Sequence, residues 1–275
     1  MEERFFFQHD GSRLFGVLHR AHAPAADVGV VLCHPYAEEK QLVDRVLVRF
    51  ARHLAAAGFA AMRFDCRGYG ESEGDLQDGT LETQTAEVLA ATALLRERLQ
   101  VKSVVLLGAR LGATVAALAG EHDPGIAGLV LWSPIVSGRT YARELLRHKL
   151  AGQLALQEAT ATRDQIVETL KADGRIEFDG GYLTLRMFED ISAIDLARQV
   201  TRFRKPVFVS TLQHRSDSYG PYEAVVNAYR AVGANADLVV AEGQEYWDVR
   251  SMFDGIFPEQ LYAATLDWMR SRWPG

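Results

Sequence analysis

The sequence predicts an α/β fold: a mostly parallel sheet, an antiparallel hairpin at its N-terminal edge and a helical lid insert. Three observations predict it. Short apolar runs, "VGVVLCHP", "FAAMRFD", "SVVLLG" and "IAGLVLW", alternate with helical segments. That alternation builds a parallel sheet covered on both faces. The opening "RFFFQHDGSRLFGVLHR" alternates on both sides of Asp10-Gly11, a hairpin signal. Between about Ser137 and Val200 the alternation is interrupted by charged helical patterns.

Each element follows in order. After the hairpin, "VGVVLCHP" is a continuous apolar run of the buried-strand kind. Leu42 to Ala57 places Val43, Val46, Leu47, Phe50 and Leu54 on one helical stripe, and Gly58 stops it. "FAAMRFD" is a strand, Thr83 to Leu99 a helix, "SVVLLG" a strand and Leu111 to Ala119 a helix. "IAGLVLW" is the next strand. The interruption holds two helical patterns, "RTYARELLRHKLAG" and "TRDQIVETLKADG", and a hairpin-like "RIEFDGGYLTL". "PVFVSTL" and "ADLVVAEG" then resume the strands, each followed by a helical segment. The expected division is a core over residues 1–136 and 201–275, with a lid over 137–200. An insert after a strand's C-terminal end overhangs the crevice where open α/β sheets bind ligands.

The bulk numbers exclude several classes. The chain has 275 residues, 48% hydrophobic and 24% charged, which is the composition of an ordinary globule. A net charge of −6 gives no basic face for nucleic acid. The N-terminus lacks the apolar core of a signal peptide, and no run is long enough to span a membrane. Two cysteines, Cys33 and Cys66, fit a reducing cytoplasm. No His-x-x-x-His spacing appears, so neither metal nor cofactor is expected. The C-terminal "LYAATLDWMRSRW" reads as an oligomer interface or as a closing helix. The spacing of Leu261, Leu266 and Trp268 favours the helix.

The chemistry turns on "VVLLGARLGATVA". Gly108 and Gly112 flank position 110 as in a nucleophile elbow, but the residue there is Arg110. A guanidinium has no lone pair to attack with and stays protonated. At a helix N-terminus, which already favours anions, it needs a negative partner. Two readings stay open: an ion pair with a pocket carboxylate, or capture of a ligand carboxylate or phosphate by the planar fork. In "CHPYAEEK", His34-Pro35 fixes a turn, and the amides of Tyr36 and Leu111 mark the oxyanion positions. Glu38 and Glu39 are candidates to neutralise Arg110. In "DCRGYGESEGD", Asp65 and Arg67 brace a tight loop. "HRSDSYG" supplies Asp217 at the acid position of a triad. No histidine follows His214, and Glu245, Tyr246 and Trp247 occupy the stretch where the base belongs. A Cys33 or Cys66 thiol with His34 as base would be a substitute nucleophile, although unpaired cysteines more often pack as small hydrophobes.

These segments resemble a family. "HPYAEEK" with "DRVLVRFARHLAAAGFA", "GARLGATVA" and "LWSPIVSGRTYARELLRHKLAG" are similar to α/β-hydrolases. More narrowly they resemble exosortase A system-associated hydrolases of the second type. "FDCRGYGESEGD" equally suits the broader serine-aminopeptidase-like group. The narrower resemblance implies that the elbow arginine is a family feature, in a setting of export and surface-polysaccharide systems. Serine and histidine roles do not carry over, and Asp217 carries over only as a position. The expected function is a pseudoenzyme whose pocket binds a small, anionic ligand or a partner without serine-hydrolase turnover. The alternative is an unconventional hydrolase or acyl-transfer enzyme acting on an ester, thioester or amide.

Overall fold

In the computed structural model, β1 (Glu2–His9) and β2 (Ser12–His19) form the N-terminal hairpin. Asp10 and Gly11 both have positive φ, 45° and 73°, the two-residue turn whose twist matches the strands. The structure describes residues 2–22, 26–155, 161–212, 219–255 and 257–274.

The core follows as β3 (Val28–Cys33), α1 (Glu38–Ala56), β4 (Ala60–Phe64), α2 (Leu81–Leu99), β5 (Ser103–Ala109), α3 (Leu111–His122) and β6 (Ile126–Trp132). Next come α4 (Gly138–Ala155), α5 (Arg163–Asp173), the small hairpin β7 (Arg175–Phe178) and β8 (Gly181–Thr184), α6 (Leu185–Ser192) and α7 (Leu196–Gln199). The core closes with β9 (Val207–Leu212), α8 (Gly220–Ala231), β10 (Ala236–Ala241), α9 (Val249–Phe253) and α10 (Glu259–Arg272). The main sheet has the order β1-β2-β4-β3-β5-β6-β9-β10. From β4 to β10 the pairs are parallel, and only the N-terminal hairpin and its junction with β4 are antiparallel.

The strands are apolar throughout because both faces are covered. On one face α1 and α10 bury Val43, Phe50, Leu261 and Met269. On the other, α2, α3 and α8 bury Val88, Leu95, Ala116 and Val225. Leu261 and Trp268 are buried, so α10 is the closing helix that its spacing favours. Helix α1 begins at Glu38, four residues before the expected Leu42. Glu38 and Glu39 form its first turn, where carboxylates complement the helix dipole.

The segment between β6 and β9 has the two expected helices and hairpin, and adds α6 and α7. Its apolar side chains Leu146, Leu170, Met187 and Ile191 belong to the same continuous core as the second face of the sheet. Among the described residues, no helix is long and apolar enough to cross a membrane.

The turn from β5 into α3 is packed backbone to backbone. A Cβ on Gly112 would lie 2.3 Å from the His34 carbonyl oxygen and 2.4 Å from that of Cys33. A Cβ on Gly108 would lie 2.3 Å from the Gly112 carbonyl oxygen. Neither glycine has a flexible neighbour that could yield. Gly112→Ala is therefore expected to lower unfolding free energy by at least about 1–3 kcal/mol, read as a shifted urea midpoint.

Candidate functional site

The elbow keeps its backbone. Arg110 has φ 53° and ψ −124°, a strained conformation for a side chain other than glycine. Its N–H donates to the Trp132 carbonyl on the neighbouring strand at 2.9 Å. Thr114, one turn into α3, accepts from the Ile135 N–H and donates to the Ile135 carbonyl, both at 3.0 Å. These bonds lock the turn at the C-terminal end of the sheet.

A cavity of about 760 Å³ opens above this turn, within the range of small-molecule sites. The loop after β3, the elbow, the end of β9, the loop after β10, and α4 with the β7–β8 turn all contribute to its wall. Arg110, Tyr36, Glu39 and Trp247 line it. His34 and Leu111 do not. Leu111 is buried in the core. His34 lies beneath the loop: its Nδ1 donates to the Pro35 carbonyl at 2.7 Å, and its Nε2 accepts from the Cys66 N–H at 3.1 Å. Those two bonds define a neutral imidazole that braces two loops. Asp217 and His214 lie outside the described residues.

The guanidinium of Arg110 has its negative partners inside the protein. Nη2 donates to Glu39 Oε1 and to Glu144 Oε2, both at 3.1 Å, and Nε donates to Glu39 Oε1 at 3.2 Å. Tyr141 donates its hydroxyl to the other Glu39 oxygen at 3.1 Å. The Trp247 ring covers the guanidinium at 4.5 Å from its centroid, and Tyr141 flanks it at 5.5 Å. Of the two readings of Arg110, the geometry is that of the internal ion pair. Burial works against the charge of Arg110, but Glu39, Tyr141 and Glu144 outweigh it and hold the guanidinium above its usual range. Burial pushes the Glu39 carboxyl up, opposed by Arg110 and Tyr141.

Trp247 occupies the stretch where a base histidine would stand. Tyr246 beside it is buried, with its ring packed edge-on to Trp132 and Trp247. This stretch packs aromatic rings on a cation. No serine or cysteine lines the cavity among the described residues. Cys33 and Cys66 are free and buried, and burial pushes both thiols up, away from the reactive thiolate. With His34 neutral and committed on both nitrogens, the thiol mechanism has neither nucleophile nor base.

The glutamates divide their work. Glu39 takes Arg110, whereas Glu38 accepts from His148 Nε2 at 2.6 Å. The same His148 nitrogen lies 3.2 Å from Asp179 Oδ1. Asp65 pairs with Lys40 at 2.9 Å, and Arg67 lies 3.6 Å from Glu87, so both brace loops as expected. Sequence reasoning missed Tyr141, Glu144 and His148 on α4. A signal was present: they are spaced i, i+3 and i+7, one stripe of a helix.

Comparison with known proteins places this geometry. The fold and the elbow are those of the α/β-hydrolases. A family model described as serine aminopeptidase, S33, matches residues 24–243, and the chain belongs to that family. No curated protein matches the sequence. Among solved structures it is similar to the esterase Est1E from Butyrivibrio proteoclasticus with bound ferulic acid. There the TM-score is 0.72 at 20% identity, covering 98% of both chains. It is also similar to the Pyrococcus furiosus esterase Pf2001, with a TM-score of 0.66 at 18% identity, covering 100% of this chain and 92% of that one. The α/β-hydrolase GrgF from Penicillium sp. sh18 gives 0.65 at 17% identity, covering 98% of each chain. At these identities the likeness is one of fold.

Two outcomes test the site. In Arg110→Met, Glu39 is left buried without its cation. Stability at pH 7 is expected to fall by about 3 kcal/mol in urea unfolding, and the deficit to narrow on acidification as Glu39 takes a proton. The second concerns His19 and His34, both buried and both held by burial down at about 4. Their folded values lie below the unfolded one, so they contribute fully above pH 6.5 and that contribution is lost as pH falls towards 4. Each is expected to remove up to about 3 kcal/mol over that window, and His34→Gln to flatten the acid limb of stability against pH.

Proposed function

We propose that this α/β-hydrolase-fold protein binds a small ligand in its cavity without serine-hydrolase turnover. The observation that carries the reading is the state of Arg110. The elbow side chain is not a nucleophile, and it is saturated by Glu39, Glu144 and Trp247. A displaced base position and a wall without serine or cysteine, among the described residues, support it. Retention of the strained elbow supports a role for its shape.

The expectation of an anionic ligand held by Arg110 loses its basis, because two carboxylates already match that charge. Glu38, Glu39, Glu144 and Asp179 line the cavity against Arg110, Arg147 and His148, while Asp248 at its wall is paired with Arg250. This surplus favours a ligand with a cationic or neutral polar group over an anion. In this proposal the segment 137–200 serves as a cap that shapes the ligand site. The reading includes the exosortase-associated subtype, on the resemblance of the elbow arginine segment alone. Two free, buried cysteines suit a cytoplasmic location.

The test is chemical. Purified protein is expected to remain unlabelled by a fluorophosphonate probe and to leave p-nitrophenyl acetate at its buffer rate. Arg110→Ser is expected to stay inactive as well, since a serine without a positioned base is a weak nucleophile. Stoichiometric labelling of one cavity serine in the unaltered protein would overturn the proposal in favour of an acyl-transfer enzyme.

A further inference from the structure

A second cluster lies in the same cavity, away from Arg110. Glu38 opens α1, His148 is on α4, and Asp179 is at the turn between β7 and β8. Their ligating atoms all lie within 4.8 Å of one another. One imidazole nitrogen, His148 Nε2, faces both carboxylates, at 2.6 Å from Glu38 Oε2 and 3.2 Å from Asp179 Oδ1. We propose that Glu38, His148 and Asp179 form a binding site for a divalent transition-metal ion that joins α4 and the β7–β8 turn to the core.

The donor set is one imidazole nitrogen with two carboxylate oxygens. That set suits zinc, and also manganese, iron(II) or cobalt(II). In the metal-bound state His148 gives up its Nε2 proton to solvent, and two carboxylates with a neutral imidazole then leave −2 for a divalent ion to cancel. A protonated imidazole would cancel only half of it. The ligands are oriented from behind. The second oxygen of Asp179 accepts the Glu38 N–H at 3.1 Å, and the Phe178 ring packs edge-on to the imidazole at 6.0 Å between centroids. Metal-ligating side chains characteristically have such supports.

An independent observation points to a ligand at this place. Tyr36 lines the same cavity and is only 2% exposed, yet its hydroxyl has no hydrogen-bond partner among the described residues. A buried, unpartnered hydroxyl on the wall that also carries Glu38 and Asp179 fits a group bound in this part of the cavity. The sequence reading expected no metal because it sought ligands at helical spacing. These three come from separate elements and share no motif.

The test uses the full chain, stripped with EDTA and dialysed, titrated with ZnCl2 and separately with MnCl2. Calorimetry is expected to give one ion per chain, and zinc to raise the thermal midpoint. The cobalt(II) derivative is expected to show visible d–d absorption. His148→Ala and the near-isosteric Asp179→Asn are each expected to weaken binding by more than about 10-fold. The exposed His122→Ala should bind as the unaltered protein does. Circular dichroism identifies any variant that does not fold, and Asp179→Asn then carries the test. Failure of both metals to bind saturably, or unchanged binding in Asp179→Asn, would overturn the site. Neither result bears on turnover at Arg110, so this inference and the proposed function fail separately.

Discussion

A guanidinium ion enclosed by protein requires carboxylates, and the arrangement around the cavity meets that requirement for Arg110. Glu39 comes from the first turn of α1 and Glu144 from the middle of α4. Tyr141, also on α4, completes the shell of Glu39. One cation on a strained turn therefore fixes the elbow, the start of α1 and the helix above them in a single contact. Losing either side would leave a buried charge, a far larger penalty than an exposed ion pair could impose. The Trp247 ring closes the remaining face, and with it the place where a catalytic base would reach.

The elbow's shape has a second source of support. The turn is held by backbone contacts at Gly108 and Gly112 and by the Thr114–Ile135 pair, none of which involves a nucleophile. Strain of the kind found at Arg110 survives where the surroundings over-determine the conformation. Here they do so through close backbone packing, the hydrogen bonds to Trp132 and Ile135, and the ion pairs of the guanidinium.

The fold was legible because it depends on local signals. Strand runs, helical stripes and the Asp10-Gly11 turn are each written within a few residues. The elbow was legible for the same reason. The start of α1 was misplaced because Glu38 and Glu39 read as loop charges until their helix-terminal role is seen. The site was legible only on the core side. Arg110, Glu39 and Trp247 were identified from their positions after strands. Glu144, Tyr141, His148 and Asp179 lie 31 to 140 residues away in sequence, judged from Arg110 and Glu39, and only folding brings them near. His34 misled because a histidine at a loop start resembles a catalytic group. Its two backbone hydrogen bonds, invisible in sequence, make it a brace.

The segment over the cavity shares its apolar core with the sheet. Leu146, Leu170 and Met187 would all meet water if it swung away as a flap. The cavity wall formed by this segment is therefore anchored in the folded core, while Arg147 and Val249 are exposed lining residues whose side chains bear on what enters.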